Sequence, residues 1–352
     1  AYDVIIIGGG VVGSSIAREL SKYKLNTCVL EKELDVCCET SGRNSGVLHA
    51  GFNNKAGSLM AKFCVEGNEN FDEIAKELDI PFKRTGKLVV GFNEEDKEKL
   101  IKMKEQGEAN GVKGLEIINK DKIRKLSPYV EGNFALYSPQ TGILNPFIYT
   151  IAMAENAVSN GVKYFLDNEV LDIKKVLEKE SSIFKIKTNK NVYRSKWLIN
   201  SAGLNSDKIG KMMGIEDYTI YPCRGEYFIL DQKLGKYLNM PAYPVPNEKM
   251  GGLGIHLTPS IDGNVFIGPS SEYINSKDDY STTKEVMDLL IEDGGRIFPH
   301  IKKEYFIRNF SGIRPKLVNK DQGGYDDFKI ELRDDVTNLI NLTGIESPGL
   351  TS

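Results

Sequence analysis

A glycine-rich turn between a strand and a helix constrains this chain more than any other feature. Gly8-Gly9-Gly10-Val11-Val12-Gly13 reads G-x-G-x-x-G. It follows the apolar run at residues 4–7, which predicts a buried parallel strand. It opens residues 11–23, which carry apolar side chains at helical spacing. Residues 27–30 predict a second strand, closed by Glu31 and followed by Lys32. This strand–helix–strand context is the one a dinucleotide site requires. Gly8 permits the tight turn, Gly10 lets the backbone approach a pyrophosphate, and Gly13 lets helix and strand pack closely. The helix start at Val11 and Val12 offers free N–H groups and positive potential to phosphates. Glu31 can accept from ribose hydroxyls, and an acid there disfavours a 2′-phosphate.

FAD and NAD share this fingerprint. Two features favour FAD: the motif stands at the N-terminal end of the sequence, and Trp197-Leu198-Ile199-Asn200-Ser201-Ala202-Gly203 is an apolar strand ending in small residues. No second strand-placed G-x-G-x-x-G follows. Gly251-Gly252-Leu253-Gly254 lacks a preceding strand and the spacing.

The remaining pattern alternates helices and strands without a break in composition. A long helix is expected over 57–78 and a strand over 87–92. The charge-dense stretch 93–128 reads as a solvated helix face. Asn145 and Pro146 predict a capped helix over 148–158, ended by Gly161. Strands are expected at 169–173, 183–188, around Tyr193, and at 197–201, 224–230, 254–257, 265–267, 306–310 and 339–342. Residues 261–264 predict a hairpin turn, and 282–298 a helix. At 352 residues the chain has room for about two domains, interleaved along the sequence rather than strung end to end.

Charge and cysteine content exclude several function classes. Lys and Arg total 46 against 49 Asp and Glu, a net charge of −3, so no basic field attracts nucleic acid. The 5 cysteines form no CxxC pair, which argues against zinc or an iron–sulfur cluster in this chain and for a reducing, cytoplasmic setting. No metal site is expected. No apolar run is long enough to span a bilayer. The apolar N-terminal stretch reads as strand and turn rather than signal peptide. Peripheral association with the inner face of a membrane stays open.

A set of further motifs carries a family resemblance. They are Thr40-Ser41-Gly42-Arg43-Asn44-Ser45-Gly46-Val47-Leu48-His49-Ala50-Gly51, Asn200-Ser201-Ala202-Gly203 and Leu253-Gly254-Ile255-His256-Leu257-Thr258-Pro259. Near the end come Ser311-Gly312-Ile313-Arg314-Pro315-Lys316 and Gly344-Ile345-Glu346-Ser347-Pro348-Gly349-Leu350-Thr351-Ser352. With these the chain resembles the FAD-dependent D-amino-acid-oxidase-like superfamily. Within it, the chain is similar to the branch of L-2-hydroxyglutarate and glycerol-3-phosphate dehydrogenases and oxidases.

The resemblance implies an α/β fold, mixed α+β in its sheets. A Rossmann-like FAD-binding domain would use residues 1–80, 143–220 and 306–352. An interleaved mixed-sheet substrate domain would use 81–142 and 221–305. It implies cofactor contacts from Lys32, Thr40, Ser41, Arg43, Asn44 and Ser45, from Val170, Ala202 and Gly203, and from Gly344, Ser347, Gly349, Leu350 and Thr351. The last loop would cover the flavin pyrimidine with its backbone N–H groups, and in the family a helix follows it.

His49 matches the residue that acts as base beside the flavin in the glycerol-phosphate oxidases, a task suited to an imidazole. Arg314 matches the arginine that grips the substrate's anionic group. His256 sits in a segment that looks like the hydroxyglutarate group, whereas glycerol-phosphate oxidases tend to carry a lysine where Leu253 aligns; Lys249 is close by. The implied activity is FAD-dependent oxidation of a small anionic secondary alcohol, with hydride passing to flavin N5. L-2-hydroxyglutarate is the first expectation and sn-glycerol 3-phosphate the alternative. Amine oxidation or a non-catalytic FAD protein remain further readings. Oxygen, a quinone or an iron–sulfur protein would take the electrons.

Overall fold

Strand Tyr2–Ile7 is the centre of the first sheet because both its edges are paired in parallel. Thr27–Leu30 lies on one side and Val192–Asn200 on the other. Its apolar run is buried on both faces, as a parallel strand covered on either side requires. A computed structural model describes residues 1–178, 181–246 and 254–351. Among these the first sheet has eight strands. Four parallel neighbours, Lys163–Phe165, Thr27–Leu30, Tyr2–Ile7 and Val192–Asn200, continue into an antiparallel meander through Ser181–Thr188 and Val170–Glu178. Leu339–Thr343 adds in parallel to Val192–Asn200. Helix Val11–Leu20 crosses between the first two strands, and Gly13 makes that crossing close: a Cβ there would stand 2.0 Å from the Gly8 carbonyl oxygen.

The second sheet has nine strands among the described residues. Its backbone is Tyr221–Leu230, paired along its length with Phe306–Lys316. It extends through Val265–Gly268, His256–Pro259, Ala242–Pro244 and Lys87–Gly91 to Phe134–Ser138 and Glu116–Asn119. Helix Lys284–Ile297 packs on this sheet, with Leu290 and Ile297 in the core it shares with Leu88, Phe228 and Ile267. A separate core under the first sheet gathers Ile5, Ile7, Leu198 and Leu339. No helix among the described residues is long and apolar enough to cross a membrane.

Local signals fix several elements. Asn145 accepts hydrogen bonds from the N–H groups of Phe147 at 3.0 Å and Ile148 at 3.2 Å, and Pro146 starts helix Pro146–Ser159. Ser58 caps helix Leu59–Glu77, and Asn93 caps the charged helix Glu94–Ala109. Residues 261–264 do turn between two antiparallel strands.

Three expectations need correction. The separate strands at Tyr193 and 197–201 are one strand, Val192–Asn200, whose polar alternation hides its continuity; Trp197 is 37% exposed rather than buried. The strand expected over 306–310 runs on to Lys316. Gly312 and Pro315 read as punctuation, but Pro315 sits opposite Pro222 and Gly312 is needed for space. Residues 306–316 thus pair within the second sheet. The stretch 93–128 also holds a strand, Glu116–Asn119, and a short helix, Lys120–Leu126.

Candidate functional site

A cavity of about 860 Å³ runs between the two sheets, towards the upper end of the range for small-molecule sites. One end is the glycine turn. Gly8 has φ +107°, and a Cβ there would meet the Ser201 carbonyl oxygen at 2.6 Å. The turn thus presents bare backbone to the cavity through Gly8, Gly10, Val11 and Val12. Gly13 stays behind it as packing. Ser41 Oγ accepts from the Val11 N–H at 2.9 Å, capping a helix whose own cap residue is a glycine.

Glu31 closes this end. Its Oε2 accepts the Gly9 N–H at 2.5 Å and its Oε1 the Glu33 N–H at 2.8 Å. Each oxygen keeps a further lone pair for ribose hydroxyls. Burial raises the Glu31 carboxyl above its ordinary value, and the two backbone donors oppose that rise. Lys32, bonded to Glu33 and Glu39, lies on the same wall, with Val170, Ala202 and Gly203. The bare backbone, the helix N-terminus with its Val11 N–H taken by Ser41, and the carboxylate suit a dinucleotide with a free ribose.

The loop from Thr40 to Ser45 joins the two sheets. Thr40 donates to the Ile313 carbonyl at 2.8 Å, and a Cβ on Gly312 would meet the Arg43 carbonyl oxygen at 2.0 Å. Asn44 spends its amide on the loop itself, donating to Ser41 and accepting from Gly46. Arg43 lies over the Tyr280 ring at 4.1 Å. All of Thr40, Ser41, Arg43, Asn44 and Ser45 reach the cavity wall.

His49, His256 and Arg314 share the far end of the same cavity. The His49 backbone is held on both sides: its N–H donates to Thr351 Oγ1 at 3.0 Å, and its carbonyl accepts from Asn68 at 2.7 Å. Its half-buried ring places Nε2 3.5 Å from Ser347 Oγ. Burial first, and then the charge of Lys87, pull its pKa down to about 3, which leaves a neutral imidazole at neutral pH. His256 stacks on Tyr243 at 3.4 Å between ring centroids.

Arg314 comes from the strand Phe306–Lys316, opposite Cys223. Among the described residues its guanidinium donates only to neutral atoms, the Ser270 carbonyl at 3.5 Å and Cys223 Sγ at 3.9 Å, and the Glu346 carboxyl acts on it electrostatically. Arg224, Lys208 and Lys316 on the same wall are ion-paired, to Glu272 and Asp279, to Glu169 and to Glu346, whereas Arg43 donates to the Cys38 carbonyl at 3.2 Å and lies over Tyr280.

The C-terminal loop brings Gly344, Ser347, Gly349 and Leu350 to the cavity, but Thr351 faces His49 from behind. Its N–H groups are not all open to a ligand. Those of Glu346, Gly349 and Thr351 close turns within the loop. Among the described residues this leaves the N–H groups of Gly344, Ile345, Ser347 and Leu350 on the cavity side. The contrast expected at Leu253, and Lys249 with it, lies outside the described residues.

Sequence reasoning missed Tyr227, Tyr243, Lys87 and the buried Lys316–Glu346 pair at 3.2 Å. Nothing in the sequence marks an aromatic on a short strand as cavity wall. Lys316 and Glu346 lay inside quoted motifs, but only the fold brings them together. No group of three or more His, Cys, Asp or Glu that could hold a metal occurs among the described residues.

The DAO family, FAD dependent oxidoreductase, matches residues 3–352. Glycerol 3-phosphate dehydrogenase of Caloramator mitchellensis is 42% identical over 100% of this chain and 71% of its own length. Mitochondrial L-2-hydroxyglutarate dehydrogenase of Nematostella vectensis is 31% identical over 100% of this chain and 88% of its own. Among solved structures, dithionite-reduced L-alpha-glycerophosphate oxidase from Mycoplasma pneumoniae with FAD bound superposes with a TM-score of 0.90 at 28% identity. It covers 99% of this chain and 91% of that one.

Proposed function

The chain belongs to the DAO family of FAD dependent oxidoreductases, and we propose that it oxidises a small secondary alcohol carrying one anionic group held by Arg314. The observation that carries this reading is Arg314 itself, a cavity cation whose hydrogen bonds among the described residues go to neutral atoms. A half-buried guanidinium in that state is open to an anionic partner, and its fork suits carboxylate or phosphate. His49, kept neutral, takes the hydroxyl proton. His256 and Tyr243 form the flat wall beside them. Bound FAD supplies the hydride acceptor.

Gly8, Gly10, Val11, Val12 and Glu31 hold the nucleotide in this reading, with Lys32, Ser41 and Ala202 beside them. Five free cysteines suit work in the reducing cytoplasm. The two substrates rank differently by different signals. The His256 segment favours L-2-hydroxyglutarate, whereas the 42% identity to a glycerol 3-phosphate dehydrogenase favours sn-glycerol 3-phosphate. We give the second more weight, because over the same whole chain the identity to the L-2-hydroxyglutarate dehydrogenase of Nematostella vectensis is 31%. Anaerobic mixing with each compound, and with a panel of amino acids, decides it. The true substrate bleaches the flavin within a turnover. Bleaching by amino acids alone would overturn the secondary-alcohol reading.

The nucleotide end has its own test. A Cβ on Gly10 would stand 2.9 Å from Ser41 Oγ, disturbing the helix cap and filling the space over the phosphates. Gly10→Ala is expected to weaken FAD retention by about tenfold or more while the protein stays folded. Flavin-to-protein ratios after gel filtration measure this; an unchanged ratio removes Gly10 from the cofactor cradle.

A further inference from the structure

A lysine with no ion-pair or hydrogen-bond partner lies behind the wall on which His49 sits. Lys87 opens strand Lys87–Gly91 of the second sheet and is 1% exposed. Its Nζ has no hydrogen-bond partner among the described residues. The ammonium rests 3.5 Å from the centroid of the Tyr243 ring, whose ring in turn stacks on His256. The Phe52 ring stands 5.1 Å away. Helix Leu59–Glu77 contributes Cys64, which donates to the His49 carbonyl at 3.6 Å and interacts electrostatically with Lys87. Cys64 and Phe52 thus tie the lysine to the loop that carries His49. Two aromatic faces give a cation some compensation, but less than a carboxylate would. Burying such a group costs stability, and a methionine would fill the same space without that cost.

We propose that Lys87 is a positioning residue: an unpaired buried ammonium placed behind His49 that keeps the imidazole unprotonated and ready to take the substrate's hydroxyl proton. The inference rests on the reading of His49 as base. The groups facing His49 are few. Lys87 comes from the second sheet, Cys64 and Asn68 from the helix, and Ser347 and Thr351 from the C-terminal loop. Cys64 is a neutral thiol, pushed up to about 12 by burial. Lys87 is therefore the one charge acting on His49 from these elements. Lys87 faces Cys64, Tyr243, Phe52 and His49. Burial pulls it down to about 7, so between about pH 3 and 7 the charge sits on Lys87 and not on His49.

The test uses the holoenzyme and the variants Lys87→Met, Lys87→Gln and Lys87→Arg. With only 3 histidines in the chain, the imidazole of His49 can be followed directly by NMR. In Lys87→Met and Lys87→Gln its titration midpoint should rise by about one pH unit. The acid limb of flavin reduction should rise with it. Lys87→Arg, which keeps the charge, should stay near the parent.

Stability supplies a second readout, which tests that Lys87 is buried without a partner; the His49 midpoint is the readout that a merely structural lysine would not move. Lys87 binds its proton more weakly in the fold than in the unfolded chain. Its cost is therefore full below about pH 7 and shrinks as pH rises towards the ordinary lysine range. Lys87→Met should melt higher than the parent at pH 6, and the gap should narrow by pH 9. An unmoved His49 midpoint in both uncharged variants, or a lower melting temperature for Lys87→Met at pH 6, would overturn the inference. Failure of the base reading looks different: His49→Asn would then reduce its flavin at the parental rate, whatever Lys87 does.

Discussion

Replacing His49 with asparagine should leave FAD bound and slow flavin reduction by about 10²–10⁴-fold, the usual contribution of a general base. The geometry makes this a clean change. Thr351 and Asn68 fasten the His49 backbone on both sides, so the loop does not depend on the ring. The ring alone faces the cavity, near Ser347. Burial and Lys87 hold it down at about 3, so in the parent it is a free base across neutral pH and loses that role only in acid. An asparagine amide fills similar space and offers no lone pair basic enough to take a hydroxyl proton. The acid limb of the pH profile should vanish along with most of the rate. Rapid mixing with substrate under anaerobic conditions measures both. A variant with the parental rate and the parental pH profile would mean that another group takes the proton.

The nucleotide end was legible because its physics is local. A glycine without room for a Cβ, a helix start and a carboxylate at a strand end lie within one strand–helix–strand unit, and periodicity alone places them. The helix that starts at Pro146 was legible for the same reason, through its cap. The substrate end depends on pairings between distant segments. Strand Phe306–Lys316 continues through Gly312 and Pro315 because Tyr221–Leu230 lies beside it, and because Gly312 must clear the Arg43 carbonyl. Neither constraint is visible in residues 306–316 themselves. Lys87 was hidden in a different way. A lysine at the start of a strand reads as a solvated end, and only the packing of Tyr243, Phe52 and Cys64 around it shows otherwise. Motif resemblance found Arg314 where local pattern could not, since a motif carries the outcome of the tertiary fold without its cause.

Arg314→Lys should weaken substrate binding by roughly 30- to 5,000-fold, the range for losing a buried charge-pair partner, about 2–5 kcal/mol, with FAD affinity almost unchanged. The fold clears space for a fork at this position. A Cβ on Gly225 would stand 3.0 Å from Arg314 Nη2 and 2.8 Å from the Pro269 ring, so the glycine leaves room for the guanidinium beside the neighbouring strand. Its hydrogen bonds to Ser270 and Cys223 are long ones to neutral atoms, which leaves donors directed at a ligand. A lysine replaces two parallel donors by a point charge on a flexible stem, and it loses the bidentate geometry on carboxylate or phosphate alike. FAD should not notice, because Gly8, Gly10 and Glu31, which hold the nucleotide in the proposed reading, lie on the first sheet at the other end of the cavity. The variant also separates the two substrates. A carboxylate held bidentately loses its planar match to the fork. A phosphate dianion keeps more of its attraction to a point charge, so its loss should fall at the low end of the range. Dissociation constants for L-2-hydroxyglutarate and sn-glycerol 3-phosphate, taken from the substrate dependence of flavin reduction in parent and variant, test this directly. If neither constant moves while both compounds still bleach the flavin, the anion is held elsewhere and Arg314 is a structural charge.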